Sequence, residues 1–120
     1  MTTARILRAS QCEKAEADWG SLTWYAGAKL GNCEEMTIGQ CVIRPGQENP
    51  LHRHPNCSEV LVVLQGTVLH TIEEGKQVEL GPGDTITLPP NLPHKARNVS
   101  DADAVLLIAF SSADRETKGE

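Results

Sequence analysis

The sequence predicts an all-β sandwich or barrel, and three observations carry that reading. Gly, Pro, Asn or Asp punctuates the chain roughly every eight to twelve residues, and the runs between these marks are short and β-rich. The chain has 120 residues, 39% of them apolar and 22% charged, the composition of one soluble domain with an ordinary core. No linker, repeat or low-complexity tract divides it.

The expected strands follow the punctuation. They are Arg5–Arg8, Leu22–Ala26, Glu35–Arg44, Ser58–Leu64, Thr67–Glu73, Lys76–Leu80, Asp84–Leu88, His94–Val99 and Ala104–Phe110. Glu73-Glu74-Gly75-Lys76 supplies a hairpin tip, and Gly81-Pro82-Gly83-Asp84 supplies a tight turn. Cys12–Asp18 is the only helix-like stretch. Trp19, Trp24 and Tyr25 crowd the N-terminal quarter, so residues 1–34 read as an arm on the barrel or on a partner subunit. Those aromatics fit a subunit interface or the core equally well. Residues 35–111 form the barrel proper, and the charged tail, 112–120, is expected to fray.

Charge and hydropathy exclude several functions. Net charge is −5, which leaves no basic footprint for nucleic acid and no polybasic segment for a membrane. The longest apolar runs, Val60–Leu64 and Ala104–Phe110, fall far short of the ~20 residues of a helical span. The N-terminus lacks a continuous apolar signal-peptide core, so a cytoplasmic protein is expected. Cys12, Cys33, Cys41 and Cys57 show no C-x-x-C pairing and read as reduced thiols. Cys57, two residues before Glu59, either lines a site or occupies a loop.

The chemistry sits in two stretches. Gly46 to Gly66 reads G-x5-H-x-H-x4-E-x6-G, placing His52, His54 and Glu59. Gly83 to Asn98 reads G-x5-P-x4-H-x3-N, placing Pro89 and His94. Three of the four histidines in the protein occupy these marks. His52 and His54 share one face of an extended segment, with Pro50 and Pro55 stiffening its ends. Glu59 heads an apolar strand, where a buried carboxylate is costly unless a cation accompanies it. His52, His54, Glu59 and His94 are therefore the expected ligands of a divalent transition metal, Fe2+, Mn2+, Ni2+, Co2+ or Zn2+. Four protein ligands close a tetrahedral zinc site, whereas an ion preferring six ligands keeps two positions open.

Both motifs, in this order and sixteen residues apart, resemble the paired signatures of the cupin superfamily. The one departure is Asn91, where the family carries glycine, and Asn is the best substitute at positive φ. The resemblance covers about residues 35 to 110. It implies a six- to eight-stranded antiparallel jelly-roll barrel with the metal inside, commonly as a homodimer. It does not imply one reaction. In cupins the parity of Val68 and Ile72 often faces inward, which would aim His70 at the pocket as a base or substrate contact. The opposite parity would turn Leu69 inward instead. Ala109–Glu116 shares with cupins acting on unsaturated uronates only Phe110-Ser111 and the charges that follow.

Strand alternation from Glu59 assigns Leu61, Val63 and Gln65 to the ligand face, and alternation from His94 assigns Ala96 and Asn98. Substrate contacts are thus expected from Leu61, Val63, Ala96, Gln65 and Gln40. Arg44 and Arg53 flank the first motif as solvated side chains. The ligand is expected to be a small neutral molecule or mono-acid rather than a polyphosphate. Two functions compete: a metal-dependent enzyme of dioxygenase or isomerase/lyase type, and a module that binds a sugar or metal without turnover. Four intact ligands disfavour a purely structural protein.

Overall fold

The computed structural model describes residues 3–119. The chain forms eleven strands: β1 (Glu13–Ala17), β2 (Gly20–Ala26), β3 (Thr37–Ile43), β4 (His52–Arg53), β5 (Glu59–Gln65), β6 (Val68–Ile72), β7 (Lys76–Leu80), β8 (Thr85–Leu88), β9 (Lys95–Asn98), β10 (Ala104–Phe110) and β11 (Lys118–Gly119). A single 3-10 turn, Ala9–Gln11, is the only helical element among the described residues. The all-β expectation holds, with the strands paired antiparallel in two main sheets.

Six strands form the larger sheet in the order β1-β2-β3-β10-β5-β8. The smaller sheet runs β7-β6-β9, and isolated bridges Glu48↔Arg97 and His52↔His94 carry it on to β4 and β11. Alternation decides what fills the space between the sheets. On β3 and β10, Cys41, Ile43, Ala104, Leu106, Ile108 and Phe110 face inward, while Ile38, Gln40, Val42, Val105, Leu107 and Ala109 face out. Leu61 and Val63 of β5 meet Val68, Leu80 and Ala96 of the smaller sheet in one buried cluster. Area removed from water drives this assembly at about 25 cal/mol per Å².

Three expectations change. Arg5–Arg8 forms no strand. Cys12–Asp18 is not helical: Glu13–Ala17 pairs with β2 through the register Glu13↔Trp24 to Ala17↔Gly20, so ladder bonds override the helix propensity of Glu, Lys and Ala. Residues 13–26 are therefore part of the main sheet, where β2 pairs with β3. Trp19 and Trp24 pack on the core, while Tyr25 stays exposed on the outer side. The tail does not fray either. Lys118–Gly119 pairs with β4 opposite Arg53 and His52.

Two turns hold as read. Asn91 adopts φ +72°, the left-handed conformation expected of it. Its N–H donates to the His54 carbonyl at 2.8 Å, which ties the turn before His94 to the loop carrying the other histidines. Glu73, Glu74 and Gly75 all take positive φ at the β6–β7 tip.

Gly39 lets Trp24 lie flat against β3. A Cβ there would sit 2.5 Å from Trp24 Cε3 and 2.8 Å from the Thr23 carbonyl. Gly39→Ala is expected to destabilise the fold by about 1–3 kcal/mol through overpacking, measured by urea unfolding, with a shift in tryptophan emission.

Candidate metal centre

Three backbone pieces bring the ligands together. His52 and His54 lie on the segment through β4, Glu59 opens β5, and His94 precedes β9. The β-bridge between His52 and His94, with backbone bonds of 3.1 and 2.8 Å, aligns the two motifs. One ligand atom from each of His52, His54, Glu59 and His94 falls within 4.8 Å of the others. All but His52 are buried.

The ring nitrogens facing away from this point are each engaged. His52 Nδ1 lies 2.7 Å from the Pro50 carbonyl, and His54 Nδ1 lies 3.0 Å from the Glu116 carbonyl. A carbonyl only accepts, so both Nδ1 atoms carry hydrogen and both Nε2 atoms keep a free lone pair. His94 Nδ1 sits 3.2 Å from His70 Nε2. With His94 donating to His70, the Nε2 of His94 is likewise free. Such outer partners fix tautomer and ring orientation in metal-binding histidines.

The inner atoms have no comparable satisfaction. His54 Nε2 and His94 Nε2 each lie 3.3 Å from Glu59 Oε1. Those contacts lack hydrogen-bond geometry, and all three atoms are buried without a hydrogen-bond partner. Orphaned lone pairs on neutral imidazoles beside a carboxylate oxygen are what a cation satisfies and a proton network does not. The residues fit a divalent transition metal.

Electrostatics supports neutral imidazoles. Burial, reinforced by the neighbouring His52, lowers His70 to a pKa of about 4. Burial first, then His52, His70 and His54, lowers His94 to about 2. His52 is lowered as well, chiefly by burial. Cys41 is pushed up to about 12 by burial and by the Glu59 charge, so its thiol is protonated in the metal-free protein.

The ligands open onto a cavity of about 270 Å³ between the sheets. Leu61 and Ala96 line it, as alternation from Glu59 and His94 predicts. His70 faces inward with Val68, borders the cavity and stands behind His94 as its hydrogen-bond partner. The other expected contacts do not reach the cavity. Val63 is fully buried in the core away from it. Gln65 lies at the exposed end of β5, where its amide donates to the Asp103 carbonyl at 2.9 Å. Gln40 has the outward parity of β3, opposite Leu107. Cys57 occupies the loop before β5 and is buried in the core. Asn98 serves structure: its amide donates to the Ile43 and Ala102 carbonyls, and its oxygen accepts from Ser100.

The C-terminal strap was not legible as part of the site. Arg115, Thr117 and Gly119 line the cavity, as do Trp19, Leu22 and Trp24 from the N-terminal hairpin. Asn56 clamps the strap from both sides, donating to the Asp114 carbonyl and accepting from Glu116 N–H. Thr117 Oγ1 adds a contact of 3.1 Å to His54 Nδ1. The likeness of Ala109–Glu116 to cupins acting on unsaturated uronates touched this segment without indicating the role.

A family model described as a cupin domain matches residues 39–110, more than half of the chain. The protein belongs to the cupin family. Germin-like protein 3-8 of Oryza sativa subsp. japonica is 36% identical over 81 residues, covering 64% of this cupin and 36% of the rice protein. Uncharacterized protein MJ1618 of Methanocaldococcus jannaschii is 30% identical over 83 residues, covering 69% of this chain and 61% of that one. This cupin thus spans less than two thirds of these relatives. Among solved structures, Lactobacillus farciminis oxalate decarboxylase in a formate complex superposes with TM-score 0.84 at 18% identity, covering 92% of this chain and 34% of that chain. An oxalate oxidase superposes with TM-score 0.75 at 24% identity, covering 83% and 54%. At these identities the structures share the fold.

The lowered histidines set a pH dependence for metal-free protein. The unfolded chain protonates His70 and His94 near their ordinary 6.5, whereas the fold resists until about 4 or below. The stability they contribute is full above 6.5 and is lost as pH falls through that window. Each proton difference is worth about 1.4 kcal/mol per pH unit. The thermal midpoint of metal-free protein is expected to drop between pH 7 and pH 5; an unchanged midpoint would contradict the neutral, buried imidazoles.

Proposed function

We propose that this cupin is a metal-dependent enzyme acting on a small organic molecule. One observation carries the reading: His54 Nε2, His94 Nε2 and Glu59 Oε1 are buried without partners at the floor of a cavity. When bound there, a divalent metal supplies a Lewis acid that orients an oxygen ligand or, if it is iron, a site for dioxygen chemistry. His52, His54, Glu59 and His94 hold it, and His70 keeps the His94 ring in its coordinating orientation. The apolar wall of Leu61, Leu106, Ile108 and Phe110 limits water at the open positions. Oxalate decarboxylase and oxalate oxidase neighbours support chemistry on a small organic acid within this framework. A cytoplasmic setting agrees with the four cysteines, which are free.

The test combines metal content with two assays. Wild-type protein is expected to take up one divalent ion per chain, and His94→Ala to weaken uptake by roughly a hundredfold. Oxygen uptake by the Fe2+-loaded protein with diketone, catechol or thiol substrates selects dioxygenase chemistry. Loss of absorbance from an unsaturated uronate without oxygen consumption selects the isomerase or lyase branch. Metal uptake with no product in either assay would favour a binding module instead.

The same proposal includes a homodimer. The outer face of the large sheet carries Val60, Val62, Leu64, Val105, Leu107 and Ala109 with no charge among them. Leu64 is 52% exposed and Leu107 37%. Such a face suits sheet-on-sheet packing about 10 Å apart. Leu107→Glu is expected to yield monomers by light scattering, and a variant that stays dimeric would exclude this face.

A further inference from the structure

We infer that Arg115 is the anchor for an anionic substrate, and that the cavity takes a small organic acid with one carboxylate on this guanidinium and a second oxygen function directed at the metal centre. The inference rests on the metal reading above and deepens it.

The first support is location. Arg115 belongs to the strap that crosses the ligand loop, and it lines the same cavity as His52, His54, Glu59 and His94. Its guanidinium carbon lies 4.1 Å from the centre of the Trp24 ring and 5.2 Å from that of Phe110. Stacking on Trp24 orients the planar fork without consuming all its N–H donors. One nitrogen, Nη1, donates to Thr117 Oγ1. The Phe110 ring in turn packs edge-on against His54 at 4.9 Å, so the guanidinium and a metal ligand lean on one aromatic.

The second support is charge. Among the residues lining the cavity, only Glu59 and Arg115 carry formal charge. No carboxylate among the described residues comes within ion-pairing distance of Arg115. Glu59 and Arg115 feel each other's field, but Glu59 is aimed at the histidine Nε2 atoms. Burial lowers the Arg115 pKa, opposed by Glu59, yet an arginine remains protonated. A divalent ion held by neutral imidazoles outweighs Glu59, and Arg115 adds to the excess, leaving roughly two uncompensated positive charges. A half-buried cation beside a cationic centre is costly without a counter-ion. A dianion spanning both would supply it.

The third support is shape. Trp19, Trp24, Leu22, Leu106 and Ile108 give the cavity apolar walls, which accommodate a carbon skeleton between two polar ends. Its volume, about 270 Å³, lies at the lower limit of ligand sites. The earlier expectation of a neutral molecule or mono-acid followed from seeing only Arg44 and Arg53. Arg44 is engaged by the Asp18 carbonyl at 3.1 Å, and neither lines the cavity.

The test titrates wild-type, Arg115→Gln and Arg115→Lys proteins with acetate, malonate and succinate, and with neutral malonamide as control, following heat and tryptophan emission. Metal uptake is measured separately, without any anion. Metal-loaded wild type is expected to bind at least one of the three carboxylates and not malonamide. Arg115→Gln should weaken that binding about tenfold or more with metal uptake unchanged, and Arg115→Lys should recover part of it. The proposal is overturned if no carboxylate binds, if malonamide binds as well, or if the Lys variant is as weak as the Gln variant. Failure of the metal reading appears differently, as absent metal uptake in the separate anion-free measurement. In that event metal-free Glu59→Gln, which keeps the guanidinium and removes the competing charge, must still bind acetate more tightly than metal-free Glu59→Gln/Arg115→Gln. Equal affinities there would overturn the Arg115 assignment by themselves.

Discussion

Three buried donor atoms, His54 Nε2, His94 Nε2 and Glu59 Oε1, gathered beside His52 with no hydrogen bond to reconcile them, are the constraint on which this molecule turns. Pro50, Glu116 and His70 each occupy the far nitrogen of a histidine ring, and the Nε2 atoms of His54 and His94 are left 3.3 Å from the carboxylate of Glu59. Like partial charges gathered out of water oppose folding unless something positive joins them. The roll tolerates the arrangement because two β-sheets hold the contributing segments rigidly and because a cation relieves it. Site and scaffold are therefore coupled: what fixes the rings also holds the loops.

That coupling runs through the chain's ends. The β4 strand is only two residues long, and its outer edge is covered by β11. Asn56 and His54 then fasten residues 114–117 above the cavity. The N-terminal hairpin closes the opposite wall with Trp19 and Trp24, and Arg115 lies across Trp24 where the two ends meet. Motif residues make the floor, and segments outside both motifs make the roof.

Legibility followed the same division. Glu59 and His94 were readable because ligand type and spacing are local properties, and alternation from them located Leu61 and Ala96 correctly. Gln65 failed because parity says which side a residue faces and not whether the strand still borders the cavity at that point. Gln40 failed because its neighbours on β3 fix its parity outward, toward Leu107, which no local pattern reveals without the pairing register. The helix-like stretch at Cys12–Asp18 misled for a related reason: five residues of good helix formers become a strand when β2 offers a ladder.

The sequence by itself determined the all-β class, the two motifs, the four side chains that cluster as candidate ligands and the turn at Asn91, since each depends on residue type at short separation. Tertiary structure alone decided that the tail is a strap, that Arg115 enters the cavity, and that Trp19 and Trp24 face inward while Tyr25 does not. Those outcomes rest on contacts between residues such as Trp24 and Arg115, distant along the chain, and backbone pairing of β11 with β4 leaves no periodic signature in six charged and polar residues.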